Sequence, residues 1–220
     1  MVQQKTVRVM FEKTGKLQYI SHLDLLRTMQ TALRRAKVKM MYSEGFNPHM
    51  KINFALPLSI GIESVCEFMD LKTDVSVNCE EVKVNLGKNL PPDMKVLDVY
   101  EAESKFTDIR YASYAMYLDY GDRSEEAVKV GKSLFANPLI VNKRTKKGER
   151  EVDITPMIKS VDVSYEFGCA IVNCTLCADS ESYLNPFYLT SALDSAMGVE
   201  AAHRKVMRKA AHFADGKVFR

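Results

Sequence analysis

The sequence predicts an α+β fold: two tandem ferredoxin-like (βαββαβ) sandwiches, each an antiparallel sheet with helices on one face. Three observations carry that prediction. Hydrophobic periodicity gives the order strand, helix, strand, strand, helix, strand between Lys5 and Tyr100. The same order returns after a polar stretch, Glu101 to Asp108, that reads as a linker. Prolines and glycines fall mainly at the ends of the expected elements, where the chain must turn. The expected domains are residues 1–102 and 103–220. The halves share an order of elements and little residue identity.

In the first half, Val7, Val9 and Phe11 alternate on one face, and Leu17 with Tyr19 follow a turn at Thr14-Gly15-Lys16. This predicts one bent strand, or a strand and a short return. Ser21 is a suitable N-cap, with Asp24 in the capping-box position. Leu25, Leu26, Met29, Leu33 and Ala36 then recur at helical spacing, which leaves Arg27, Arg34, Arg35 and Lys37 off the apolar stripe. Met41 to Glu63 reads as a punctuated loop feeding a strand. Gly45 permits a positive φ, Asn47-Pro48 enforces an extended turn, and Ile52, Phe54 and Leu56 alternate as a buried face. That loop places Phe46, Asn47, His49 and Lys51 beside a core strand, and it is the expected site. A strand from Val65 to Lys72, a helix from Asn78 to about Asn89, a break at Pro91-Pro92-Asp93 and a strand from Met94 to Tyr100 complete the unit.

The second half begins with an aromatic-rich alternating run, Ile109 to Tyr120. Gly121 to Ser124 then cap a helix, Glu125 to Ala136, whose first turn carries two glutamates. Leu139 to Asn142 and Ser160 to Glu166 are strand-like on either side of a basic turn or loop, Lys143 to Arg150. A strand from Cys169 to Ala178 precedes a helix that Asn185 caps, with Pro186 at its first position and Gly198 at its end. The tail has good helical propensity, but completing the repeat requires a strand near Arg204 to Phe213 and a turn at Asp215-Gly216. The strand is the expectation.

Composition narrows the function classes. The 220 residues carry a net charge of +3 and a pI near 8.5, an ordinary globular balance that leans towards nucleic acid. No apolar run is long enough to span a membrane, and five cysteines without a secretion signal predict reduced thiols in the cytoplasm. No phosphate-binding glycine loop, nucleophile elbow or Cys-x₃-Cys-x₂-Cys motif occurs. Cys169, Cys174 and Cys177 have the C-x₄-C-x₂-C spacing of plant-type iron–sulfur proteins. Strand periodicity nevertheless puts Cys174 on the face opposite the other two, and no fourth cysteine follows. No metal site is expected.

Two constellations remain. His22, Asp24 and His49 are residue types that bind a metal or supply an acid–base pair, although capping alone accounts for Asp24. The basic candidates are Arg27, Arg34 and Arg35 on the first helix, Lys143, Arg144, Lys146, Lys147 and Arg150 in the second half, and Arg204 and Arg208 in the tail. If clustered, such groups hold phosphates with salt-dependent affinity.

Phe11-Glu-Lys-Thr-Gly-Lys-Leu-Gln-Tyr-Ile-Ser-His-Leu-Asp24, Tyr42-Ser-Glu-Gly-Phe-Asn-Pro-His49, Ile52-Asn-Phe-Ala-Leu-Pro-Leu58 and Gly61-Ile-Glu-Ser64 resemble the radical-SAM-linked protein family. The resemblance is dense from Val7 to Tyr100 and weaker beyond. It implies a bacterial domain encoded beside, or fused C-terminally to, a radical SAM enzyme with a cobalamin-binding region. The iron–sulfur cluster, S-adenosylmethionine and cobalamin would then belong to that partner, with no cofactor in this chain. The expected function is a non-catalytic module that binds RNA or an RNA-associated substrate for the radical SAM enzyme. Phe46, Asn47, His49 and Lys51 would read a base or the partner's surface. The alternatives are a small RNA-cleaving or RNA-modifying enzyme using His22, Asp24 and His49, and a protein-interaction adaptor without nucleic acid.

Overall fold

The computed structural model describes residues 3–145, 148–179 and 181–220. The chain forms two compact units, Met1–Phe106 with Arg220, and Thr107–Phe219. Both are α+β, built from antiparallel strands and two helices apiece. Among the described residues, no helix is long and apolar enough to cross a membrane.

The first unit runs β1 (Gln4–Lys13), α1 (His22–Arg35), β2 (Ile52–Phe54), β3 (Ile62–Asp74), α2 (Cys79–Gly87) and β4 (Met94–Glu101). Its strands lie in the order β4-β1-β3-β2, each antiparallel to its neighbour. Period two on β1 puts Val7, Val9 and Phe11 on one face. There they join Leu25, Met29 and Leu33 of α1 and Val82 and Leu86 of α2 in one core. Ser21 caps α1 as its sequence predicts, and Asn78 caps α2 by accepting from the Glu80 and Glu81 amides.

Two expectations in this unit need correction. Leu17 and Tyr19 do not continue a strand, because the chain leaves β1 at Lys13 and winds into a 3₁₀ turn, Gly15–Tyr19. Gly15 has φ +55°, and distant acceptors take the turn's amides. The Gly15 N–H donates to Glu63 Oε1 at 3.0 Å, Lys16 N–H to Asp93 Oδ2 at 3.1 Å, and Thr14 N–H to the Asp93 carbonyl at 2.9 Å. Amides engaged in this way are not available to a ladder. The second correction concerns Ile52, Phe54 and Leu56. They are half-buried, and β2 stops at Phe54 because Leu56 already lies in the turn before β3.

The second unit runs β5 (Tyr111–Asp119), α3 (Ser124–Phe135), β6 (Ile140–Thr145), β7 (Gly148–Asp153), β8 (Ile158–Glu166), β9 (Cys169–Cys177), α4 (Phe187–Met197) and β10 (His203–His212). Its sheet has the order β10-β5-β9-β8, again antiparallel throughout. The described residues of the basic segment lie in a ribbon, since β6 pairs with β7 from Ile140↔Asp153 to Thr145↔Gly148. Buried Leu139 and Ile154 anchor its base, where the Ile154 N–H donates to the Leu139 carbonyl at 2.9 Å. The tail is a strand, and Gly216 with φ +86° makes the turn that follows. Helix α4 begins one residue later than its sequence suggests, with Asn185 Oδ1 accepting from the Phe187 N–H at 3.0 Å.

Candidate polyanion groove and motif loop

Helix α1 separates its residue types cleanly. Leu25, Met29, Ala32 and Leu33 are buried, while Arg27, Thr31 and Arg35 are exposed. The last three are spaced by four, so they stack in one row. Ser21 fixes the start of the helix, its Oγ accepting from the Asp24 N–H at 3.1 Å and donating to Asp24 Oδ2 at 2.7 Å. Both helices of the unit pack on the same core, which brings the segment following α2 alongside the row. Arg27, Thr28, Thr31, Arg35, Lys88 and Asn89 line an open groove of ≈ 570 Å³ there. Arg27 has an exposed ion pair with Asp24 at 3.6 Å, while Arg35 and Lys88 have no acidic partner among the described residues. Arg34 is exposed but does not line the groove. Lys88 and Asn89 were not legible as site residues. Only the packing of the two helices on one sheet face brings them there.

The second feature is the loop between α1 and β2. Tyr42 and Met50 form a bridge, and Met50 is buried. The Ser43 N–H donates to the His49 carbonyl at 2.9 Å, and Lys51 N–H to Met41 at 2.9 Å. Ser43 Oγ accepts from the His49 N–H at 3.1 Å and lies 2.8 Å from His49 Nδ1. The stem is therefore stapled, and residues 44–49 project from it, all exposed. Phe46 is at 112% of its reference exposure, a ring wholly in solvent. Asn47 and Lys51 are exposed as well.

The structure does not join the candidate acid–base residues. His22 packs edge-on against Phe54 with ring centroids 5.3 Å apart, Asp24 serves Ser21 and Arg27, and His49 serves Ser43. Each of the three therefore answers to a different neighbour. His22 does line a cleft with two charged residues that sequence reasoning missed, Lys13 and Glu67, only 2% and 5% exposed. Lys13 Nζ donates to the Leu17 carbonyl at 3.2 Å, which braces the 3₁₀ turn. The cleft's cavity volume is ≈ 10 Å³, room for about one water. The placement of Lys13 signals its burial, since it lies two residues beyond Phe11 on a core-facing strand.

In the second unit, Arg150 is exposed on β7, opposite Lys143 in the ribbon register. Lys143 and Arg144 are placed by backbone alone, and Lys146 and Lys147 lie outside the described residues. Of the tail arginines, Arg208 needs correction as a phosphate ligand. Arg208 is 2% exposed and stands opposite Tyr114 in the β10–β5 register. Burial raises the Tyr114 hydroxyl far above its ordinary pKa. Arg204 binds Asp194, a buried carboxylate that also accepts from Tyr120 at 2.7 Å and from the Ala201 N–H at 3.1 Å. Burial first, then the bond to Asp194, raises the Tyr120 pKa. Arg208 shares the buried Val206 face of β10, where the alternation of the strand turns it away from solvent, whereas Arg204, near the start of the strand, is exposed beside the carboxylate it binds.

The five cysteines are free thiols, with Cys174 buried and Cys169 and Cys177 half-buried. Burial pushes the Cys174 thiol up to about 12. Among the described residues, no three His, Cys, Asp or Glu side chains are grouped as metal ligands would be.

Comparison with solved structures finds distant likenesses. A chain of a Cbf5-Nop10-Gar1 complex aligns over 93% of this chain with a TM-score of 0.47 and 11% identity. This chain spans about half of that one, 48%. An unknown protein from Galdieria sulphuraria aligns over 94% of this chain and 99% of its own, with a TM-score of 0.28 and 11% identity. No curated protein matches the sequence. One family model does match, over residues 6–186, and that range holds the capped helix, the groove and the stapled loop alike. The chain thus belongs to the family described as "Uncharacterized protein conserved in bacteria (DUF2344)".

Proposed function

We propose that the protein is a non-catalytic recognition module that binds RNA, or an RNA-associated substrate, and presents it to a partner radical SAM enzyme. Its two units are taken as tandem ferredoxin-like sandwiches, a reading supported by the order β4-β1-β3-β2 in one and β10-β5-β9-β8 in the other. The observation that carries the proposal is the groove. Three cations, Arg27, Arg35 and Lys88, line one open channel with Thr28, Thr31 and Asn89, of which the Thr31 hydroxyl already donates to the Arg27 carbonyl and the Asn89 amide to that of Asn85. The cations suit phosphate oxygens, which accept from guanidinium and ammonium groups. Arg27 and Arg35 are eight residues apart, about 12 Å along the helix axis. One phosphate cannot bridge that span, whereas a polynucleotide backbone can.

The partner is assigned from the resemblance of the N-terminal motifs to the radical-SAM-linked family. On this reading the cluster, S-adenosylmethionine and cobalamin reside in the partner, and the module works in the bacterial cytoplasm. The groove holds the RNA backbone while the loop at Phe46, Asn47, His49 and Lys51 meets a base.

The test is binding of purified protein to bulk tRNA and rRNA fragments across a salt series. Micromolar or tighter affinity is expected, with log affinity falling linearly with log salt. Arg27→Ala with Arg35→Ala should weaken binding and flatten that line. Absence of binding at low salt overturns RNA recognition and leaves a protein-interaction adaptor.

A further inference from the structure

Resting on the RNA reading, we infer that the Tyr42–Met50 loop is a capture site for an unpaired nucleobase. The RNA it selects is then single-stranded or bulged rather than continuous duplex. The exposed ring alone does not establish this; its surroundings do. Phe46 is fully exposed on a stem closed by the Tyr42–Met50 bridge and by the Ser43–His49 hydrogen bonds. The fixed stem limits the backbone entropy lost when something stacks on the ring. Its neighbours at the tip, Glu44, Gly45, Asn47, Pro48 and His49, are themselves exposed and mostly polar. A protein-docking anchor belongs to a larger apolar patch, and these neighbours supply none. A π face bordered by polar groups at the tip fits a flat heterocycle, which offers one face for stacking and hydrogen-bonding edges around it.

The polar groups match those edges. The Asn47 side-chain amide has both a donor and an acceptor, the pairing that reads a base edge. The His49 ring is oriented through Nδ1 by Ser43 Oγ, so Nε2 is the ring atom left to face a ligand. Glu44 carries the opposite lesson: a carboxylate two residues from the ring repels phosphate, so the tip is suited to base rather than backbone. A base inside a helix is covered on both faces and cannot reach Phe46.

The experiment uses a single-stranded oligoribonucleotide carrying 2-aminopurine and the same oligonucleotide annealed to its complement. The full chain is compared with Phe46→Ala and Phe46→Tyr. Tighter binding to the single strand is expected, with quenching of the 2-aminopurine fluorescence on binding. Phe46→Ala should weaken single-strand affinity by about 5- to 150-fold, the range that loss of one stacked base gives. Duplex affinity and the salt slope should stay unchanged, and Phe46→Tyr should keep both affinity and quenching. Equal affinity for both forms, or a Phe46→Ala protein that binds as wild type, overturns the capture site. If Arg27→Ala with Arg35→Ala still flattens the salt dependence, the groove survives that failure. If neither oligonucleotide binds at low salt, the RNA reading itself falls and the capture site with it.

Discussion

Helix α1 and strand β10 are both arginine-bearing, and they use those arginines in opposite ways. On α1 the core claims one stripe, so Arg27 and Arg35 are left on the far side and line an open groove. On β10 the face of buried Val206 takes in Arg208, while Arg204, nearer the start of the strand, is exposed and held by its ion pair with Asp194. One set is left to solvent along an open groove. The other is consumed by the fold, Arg204 by the Asp194–Tyr120 cluster and Arg208 by burial opposite Tyr114. Local charge density therefore says little about binding until the period of its element is known.

The contrast predicts a double dissociation, and its largest effect is on β10. Arg204→Ala leaves the Asp194 carboxylate buried with only neutral donors. Asp194 is buried but Arg204 is exposed, so water screens part of the pair, and a loss of about 2 kcal/mol is expected at neutral pH, as for a hydrogen bond to a charged group. Urea unfolding with an unchanged m-value measures it. RNA affinity per folded molecule should not move. A variant with wild-type stability but weakened RNA binding would invert the comparison, since Arg204 would then be a ligand-facing cation.

The next effect belongs to α1. Arg27→Ala with Arg35→Ala should lower affinity at least tenfold in low salt. The slope of log affinity against log salt should fall by about 0.7 for each single-strand phosphate that the variant no longer neutralises. Stability should change by no more than about 0.5 kcal/mol, because both side chains are exposed. An unchanged slope would show that these arginines are merely solvated, and would remove the difference between the two regions.

Much of the fold was legible because its signals are local. Ser21 and Asp24 mark the start of α1, alternation marks β1 and β5, and Gly198 in the left-handed conformation closes α4. What escaped was set by distant residues. The 3₁₀ turn after β1 exists because Glu63 and Asp93 reach its amides, and neither is near it in sequence. Lys88 completes the groove only through the packing of α2 beside α1. Arg208 is a different case, because its signal was present. It lies two residues from Val206 on a strand that was expected, so period two already pointed it inward.

A smaller perturbation tests whether the groove depends on charge alone or also on the helix that carries it. Ser21 Oγ satisfies the Asp24 N–H and holds the Asp24 carboxylate. Ser21→Ala should cost about 1 kcal/mol of stability, the usual effect of losing a cap. It also releases Asp24 to engage Arg27 more fully than the present 3.6 Å ion pair does. RNA affinity should then drop only about two- to threefold, well under 1 kcal/mol, as for an exposed charge pair. The salt slope should stay near wild type because every cation remains. Circular dichroism with the same salt titration separates the two effects. A slope that falls as far as in the double arginine variant would show that α1 must be capped for its cations to line up, making the groove a property of the helix rather than of its charges.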